Sequence, residues 1–378
     1  MAQRLTQQQR LFYGVESTEG TEVLGTATET FLAEGSPSYN ISQAHLPRKF
    51  RSNMGFYQGK MGGHPDPGLS FRCELANRGA TNNVSDIDEL LKTVFGTRTL
   101  DTGDTTSTGS STDTVLDVAD TTGFTAGNAV AVETTTADEY EVRWIASIDS
   151  GTVMTLTQAL TFTPGNGDKV KPSLTYAPAS SGHQSLSFQM WVDATDYLSF
   201  LGCKGTASIE VAEAGTIPYI SFNWSAMSYA WSTSGTRPAQ TFGNSGLPPI
   251  ALASDFSIDG TKTDLRSFNL DLGQKLARKM SHNSAKGTSG IVVVDREATW
   301  NTSLYNADQA QYTAWDAGGQ VELGHQFNVA LNTMVAIQVP QAQRTAVSLG
   351  DDTGLATDEI EGQAQISSGD DEARIAFL

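Results

Sequence analysis

Apolar and polar residues alternate in short runs along most of this chain, with Gly, Pro, Asn, Asp and Ser between the runs. Leu69, Phe71, Cys73 and Leu75 alternate with Ser70, Arg72, Glu74 and Ala76. Leu186, Phe188 and Met190 alternate with Ser185, Ser187 and Gln189, and Ala207, Ile209 and Val211 with Thr206, Ser208 and Glu210. A period of two places one face of each strand on a core and the other on water, the pattern of antiparallel sheets. In Tyr219–Trp231 the apolar set changes parity, from Ile220, Phe222 and Trp224 to Met227, Tyr229 and Trp231. Such a change requires a bend or bulge, placed here near Ala226. Further strands are expected at Leu265–Leu272, Ile291–Val294, Val321–Phe327, Met334–Val339 and Arg374–Phe377.

Helical spacing occurs at 84–95. Ile87, Leu90, Leu91 and Val94 form one stripe, Ser85 is in place as N-cap, Asp86, Asp88 and Glu89 occupy the first turn, and Gly96 ends the helix. A weaker helical stretch is Asp308–Trp315. Residues 98–178 read as an insertion, with a Thr/Ser/Gly/Asp tract at Asp101–Thr114 as a flexible entry. Five short strands follow, at Thr114–Val118, Asn128–Glu133, Tyr140–Ile148, Val153–Leu156 and Lys169–Leu174, the size of a small SH3-like or OB-like barrel. The host domain is then 1–97 joined to 179–378. Within it, 34–68 is rich in Gly and Pro and carries Arg48, Lys49, Phe50, Arg51, Phe56 and Tyr57. It reads as a long loop or arm that packs on something.

Composition narrows the function. The 378 residues hold 24 basic and 42 acidic side chains, a net charge of −18. Residues 101–150 carry a net −9 and residues 351–378 a net −7, so the remainder is nearly neutral. Gripping nucleic acid through phosphates requires clustered Lys and Arg, which this chain lacks. No apolar run reaches the roughly 18–20 residues that span a bilayer, so no membrane partner is expected. The N-terminus lacks the apolar core of a secretory signal, which points to the cytosol or release by lysis.

Motifs for chemistry are missing. Gly62-Gly63-His64-Pro65-Asp66-Pro67-Gly68 lacks phosphate-loop spacing and reads as a turn. The five histidines have no metal-ligand spacing, Cys73 and Cys203 read as buried thiols, and Gly287-Thr288-Ser289-Gly290 falls short of a nucleophile elbow. Asp351, Asp352, Asp358, Glu359 and Glu361 do not match a calcium loop and read as a solvated acidic loop. No enzyme activity, metal or cofactor is expected.

GLSFRCELANRG followed by SDIDELLKTVFG, then HQSLSFQMW, then LGCKGTASIEVAEAGTIPYISFNWSAM, resembles the tail tube (major tail) proteins of long-tailed bacteriophages. VVVDREATW and SSGDDEARIAF are similar to their closing strands, and the 98–178 insertion is similar to small barrel modules inside several such tubes. The resemblance implies a mostly β, tail-tube-type sandwich or barrel subunit with one flanking helix. Hexameric rings of it would stack into a virion tail tube, assembled in the host bacterial cytoplasm. Each copy would give about four strands to an inner barrel. Some 24 strands about 4.8 Å apart and tilted about 40° close a backbone circle near 48 Å across. The tape-measure protein and DNA would pass through without specific binding, and other tail proteins would join at both ends. On this reading Ser187, Gln189, Ser208 and Glu210 line the lumen, and Arg48, Lys49, Phe50, Arg51, Phe56 and Tyr57 hold stacked rings together. The insertion would decorate the exterior, and deleting it would leave assembly intact. The alternative is a carbohydrate- or receptor-binding component of a tail tip or fibre, with Trp144, Trp191, Trp231, Trp300 and Trp315 as sugar platforms.

Overall fold

A computed structural model describes residues 9–23, 29–31, 33–46, 61–77, 86–239, 247–305 and 309–378. The chain is mostly β, with antiparallel strand pairing throughout and two short helices among these residues, α1 (Asp88–Phe95) and α2 (Gln309–Asp316). The alternating segments form strands, with the apolar parity inward: Leu69, Phe71, Cys73, Ile209, Val211, Ile220, Phe222 and Trp224 all lie in one core. α1 adds Leu90, Leu91 and Val94 to that core. Its N-cap is Ile87, without a side-chain cap, and Ser85 lies outside the described residues.

The backbone of the fold is the long strand Tyr197–Val211. Its first half pairs with Leu186–Trp191 on one side and Ser228–Ser232 on the other; its second half pairs with Tyr219–Ser225 and Leu265–Asp271. The parity change after Trp224 is where the chain passes from one half of this strand to the other. Trp231 ends 46 % exposed, so the second environment is not a core for it.

The pairing scheme of the first 232 residues recurs in the rest of the chain. Arg10–Val15 pairs with Glu29–Thr30 and with Leu186–Trp191; Asp255–Ile258 pairs likewise with Thr261–Lys262 and with Gln320–Phe327. Ala33–Leu46 pairs with Met61–Glu74, and that strand with Tyr219–Ser225. In the second half Leu265–Asp271 pairs with Thr299–Leu304, and that strand with Leu355–Gln365. The long strand Val335–Asp352 takes the place of Tyr197–Val211, joined to Gln320–Phe327, Leu355–Gln365 and Arg374–Phe377. Each half has its helix at the same point, α1 after Met61–Glu74 and α2 after Thr299–Leu304. Seven pairings are thus duplicated, and the pairing of Ser208–Val211 with Phe268–Asp271 welds the two halves.

Four expectations are corrected. The 34–68 segment is not a loop: its described residues form a hairpin of Ala33–Leu46 with Met61–Glu74. Pro65 and Pro67 lie in the second strand rather than in a turn, tolerated because that part of the ribbon runs beyond the Gly68–Glu74 stretch paired with Tyr219–Ser225. The acidic 351–361 segment is likewise a hairpin, turned at Thr353 and Gly354, both with positive φ. The Asp101–Thr114 tract is folded. Ser111 Oγ accepts from Asp117 N at 2.9 Å, Thr112 Oγ1 accepts from Val115 N at 3.0 Å, and Thr105–Thr106 is a sixth strand of the small sheet. Short hydroxyl side chains here bond the local backbone.

The small sheet runs in the order Thr105–Thr106, Lys169–Lys171, Ala129–Glu133, Tyr140–Ile148, Val153–Leu156, Val115–Asp117, and a Ser107–Val118 bridge closes it. Gly96–Leu100 and Leu174–Pro178, at its entry and exit, pair with each other in the main sheet. The barrel is docked. Ala129, Ala131, Tyr140, Val142 and Trp144 pack on Met334, Ala336, Ala376 and Leu378, and Gln326 accepts from Val142 N and donates to Tyr140 O, both at 2.8 Å. The insertion therefore covers apolar surface of its host, which a detachable decoration does not.

Candidate functional site

The solvent face of the main sheet is the largest continuous polar feature that the strand register builds. Directly opposed residues in antiparallel pairs share a face. One such row crosses eight strands: Glu34, Arg72, Ser221, Ser208, Asp271, Thr299, Gln363 and Gln343. A second row crosses seven: Glu74, Tyr219, Glu210, Asn269, Asn301, Glu361 and Ala346. Ser267, Ser303, Glu359 and Ser348 continue it. Between the first two rows runs a core row facing the other way: Ala33, Cys73, Ile220, Ile209, Leu270, Trp300, Gly362 and Arg344. Period-two alternation, read across strands instead of along them, thus yields one apolar and one hydrophilic surface.

The hydrophilic surface is acidic. Glu34, Glu74, Glu210, Asp271, Glu359 and Glu361 share it with Arg72 and with Arg266, which is paired with Asp352 at 3.0 Å. Arg72 is tied to the Glu34 carboxylate and lies 4.3 Å over the Tyr219 ring, so its charge is neutralised in place. Partial burial and then the Glu34 carboxylate push the Tyr219 hydroxyl above its ordinary pKa. Glu359 Oε1 accepts from Ser303 Oγ at 2.6 Å and from Thr357 Oγ1 at 2.9 Å, which holds that carboxylate along the strand. Glu210, Asp271, Thr299, Asn301 and Glu361 are exposed.

Two ends of this sheet are open. The outer edge of Ala33–Leu46 pairs with no strand among the described residues. At the far end, Val335–Asp352 is flanked by strands on both sides only as far as Gln343. Next to it α2 takes the Thr345 carbonyl through Trp315 Nε1 at 3.0 Å, and beyond that Ala346–Asp352 pairs with Leu355–Glu361 and with no other strand among the described residues. Unpaired edges of this length are templates for strand addition.

Of the four residues expected to line a lumen, Ser208 and Glu210 lie on this face. Ser187 and Gln189 do not: they are 1 % and 2 % exposed, covered by the Arg10–Val15 strand and the segment after it. Ser187 Oγ donates to Glu16 Oε1 at 2.6 Å, and Gln189 Nε2 to Glu22 Oε1 at 3.3 Å. Their polar parity serves internal hydrogen bonds. Arg48, Lys49, Phe50, Arg51, Phe56 and Tyr57 lie outside the described residues. Among the tryptophans offered as sugar platforms, Trp144, Trp191 and Trp300 are buried; Trp231 and Trp315 are exposed. Sequence reasoning missed Asn223, Asn269, Asn301, Glu359, Glu361 and Gln363, which complete the face. In the strands of Asn301, Glu359, Glu361 and Gln363 the inward positions Thr302, Asp358 and Gly362 break the apolar alternation.

Cys73 and Cys203 are buried thiols outside any disulfide, and burial, then the nearby Glu16 carboxylate, pushes the Cys203 thiol well above its usual range. His183 sits beside the carbonyls of Thr93 and Ala179, and His325 is enclosed by Phe256, Phe268 and Phe327. No group of three His, Cys, Asp or Glu side chains suited to a metal occurs among the described residues, and no helix there is long and apolar enough to cross a membrane. No model of a known protein family matches the sequence, and no curated protein is significantly similar to it.

Proposed function

We propose that the chain is a structural subunit of a phage tail tube, whose copies join edge to edge into rings that stack as a conduit for a genome. The observation that carries this reading is the acidic, small-residue face that crosses eight strands between two open edges. Edge-to-edge joining removes edges that would otherwise pair at random. It also turns a local polar face into the lining of a bore. Carboxylates that outnumber their ion-paired bases, Arg72 and Arg266, repel phosphates over a Debye length of about 8 Å at physiological salt. Duplex DNA and the tape-measure protein then slide past without being held. The hairpin Ala33–Leu46/Met61–Glu74 leads toward the segment carrying Phe56 and Tyr57, which we assign to contacts between stacked rings. Electron microscopy of the concentrated protein tests the reading: rings or tubes are expected, and monodisperse single chains at every concentration overturn it.

A further inference from the structure

The structure assigns this chain two tube-forming units in tandem, and we infer that three copies, not six, close each ring. The inference rests on the tube reading above. It starts from the duplicated pairing scheme. The first unit orders its strands Ala33–Leu46, Met61–Glu74, Tyr219–Ser225, Tyr197–Val211; the second orders Leu265–Asp271, Thr299–Leu304, Leu355–Gln365, Val335–Asp352. Each is a four-stranded sheet with the long, sheet-switching strand last. Each also has its helix at the corresponding point and a hairpin that continues its first two strands. That hairpin is Gln274–Met280 with Thr288–Arg296 in the second unit.

The two units meet at the pairing of Ser208–Val211 with Phe268–Asp271, the last strand of one unit against the first strand of the next. This joint is the only step of the eight-strand order that the duplication leaves without a counterpart inside the chain. Its counterpart needs a last strand and a first strand with open edges, which among the described residues Ala346–Asp352 and Ala33–Leu46 have. Both belong to the same molecule at opposite ends of its sheet, so the missing joint forms between copies. The occupant of each open edge is a second copy of this chain, joined head to tail, and rotation of such joints closes a ring.

Copy number follows from strand count. Eight strands per chain give 24 in a ring of three, with a backbone circle near 48 Å at about 4.8 Å spacing and about 40° tilt. Six copies would double both. That wider bore would leave a duplex far from its lining and the acidic face beyond screening range. Glu34 and Asp271 occupy corresponding places, each heading its unit's part of the first polar row.

Native mass spectrometry and image averaging of assembled rings test the copy number. Three chains of 40.3 kDa give rings of about 121 kDa with three-fold symmetry and a six-fold pseudo-repeat. Rings of six chains overturn the inference while leaving the tube reading standing, and the lack of any ring overturns the tube reading first. Hydrogen exchange locates the joint. Amides of 346–352 and 33–46 are expected to slow at least tenfold on assembly, while those of 268–271 are already slow in the single chain. Unchanged exchange at 346–352 in assembled material overturns the assignment even if the count is three.

Discussion

Trp300 stands directly across a strand pair from Gly362, and the indole fills the space that a side chain at 362 would need. Gly205 and Trp224 repeat the arrangement in the other half of the chain. In both pairs a glycine lets a buried tryptophan lie over the neighbouring strand, so the core row stays one layer thick where its largest side chain sits. A Cβ at 362 would also come within 2.5 Å of the Gln343 carbonyl oxygen, and that oxygen cannot yield without breaking the sheet. Gly362→Ala is therefore expected to destabilise the subunit by about 1–3 kcal/mol, read as a lowered thermal midpoint; an unchanged midpoint would show that the Trp300 ring has room to move.

His325 gives the subunit a pH dependence of definite sign. Its ring is fully enclosed by Phe256, Phe268 and Phe327, neither nitrogen has a hydrogen-bond partner, and burial lowers its pKa to about 3. The folded chain refuses the proton until about pH 3, whereas the unfolded chain accepts it near 6.5. Between those values protons favour unfolding, so this group's effect is absent at pH 7 and grows as pH falls, by about 1.4 kcal/mol per unit. His325→Leu removes it. Denaturant titrations of both proteins from pH 7 to pH 4 should show their stability difference shifting toward the variant by that slope; parallel curves would contradict the buried neutral imidazole.

Glu16 organises the layer that covers Ser187. Its carboxylate accepts from Gly20 N, Gly202 N, Ser185 Oγ and Ser187 Oγ at 2.6–2.8 Å, with the residue 7 % exposed. Truncation to Ala strands four donors, two of them backbone. A loss of about 3 kcal/mol is expected, together with faster exchange of the Gly20 and Gly202 amides. Equal exchange in the variant would mean that other groups hold that layer.

Much of this architecture was legible from period-two alternation, and the misreadings have a common cause. Leu69–Leu75, Leu186–Met190 and Ala207–Val211 announce which face is apolar, but alternation says nothing about what covers the polar face. Ser187 and Ser208 look alike along the sequence. Only the Glu16 carboxylate, 171 positions away and bonded to Ser187 Oγ, covers one, while the other stays near solvent. The duplication is hidden for a similar reason. The two units share pairing order rather than residues: LSFRCE at 69–74 corresponds to REATWN at 296–301, and a whole barrel separates α1 from Leu186–Trp191 in the first unit alone. Gly-rich and Pro-rich strands such as Met61–Gly68 read as turns because local propensity cannot register a partner strand supplied by Ala33–Leu46.

The barrel at 101–172 is expected to be required for solubility, contrary to its reading as a decoration. Met334, Ala336, Ala376 and Leu378 are at most 3 % exposed beneath it, and Glu322 accepts from Thr157 Oγ1 at 3.1 Å and Gln158 Nε2 at 3.2 Å across the joint. Replacing 101–172 by a short Gly/Ser linker exposes that apolar patch beside the Val335–Asp352 strand, where it favours aggregation. Insoluble or much less stable protein is the expected outcome in expression and melting assays. A soluble deletion variant that still forms rings would restore the decorative reading.

The acidic face should govern how nucleic acid behaves in the assembled state. Glu210 and Glu361 lie in one row, separated only by Asn269 and Asn301, and both are exposed. Reversing them to Lys touches no core contact, so subunit stability should change by no more than about 0.5 kcal/mol. Assembled wild-type protein is expected to leave duplex DNA in the supernatant on sedimentation, whereas assemblies of the double variant retain it. Because the new contacts are phosphate contacts, retention should fall steeply between about 50 and 200 mM salt. Identical DNA behaviour of the two assemblies at low salt would place these carboxylates away from the bore, and the face that crosses the eight strands would then need a partner other than a passing genome.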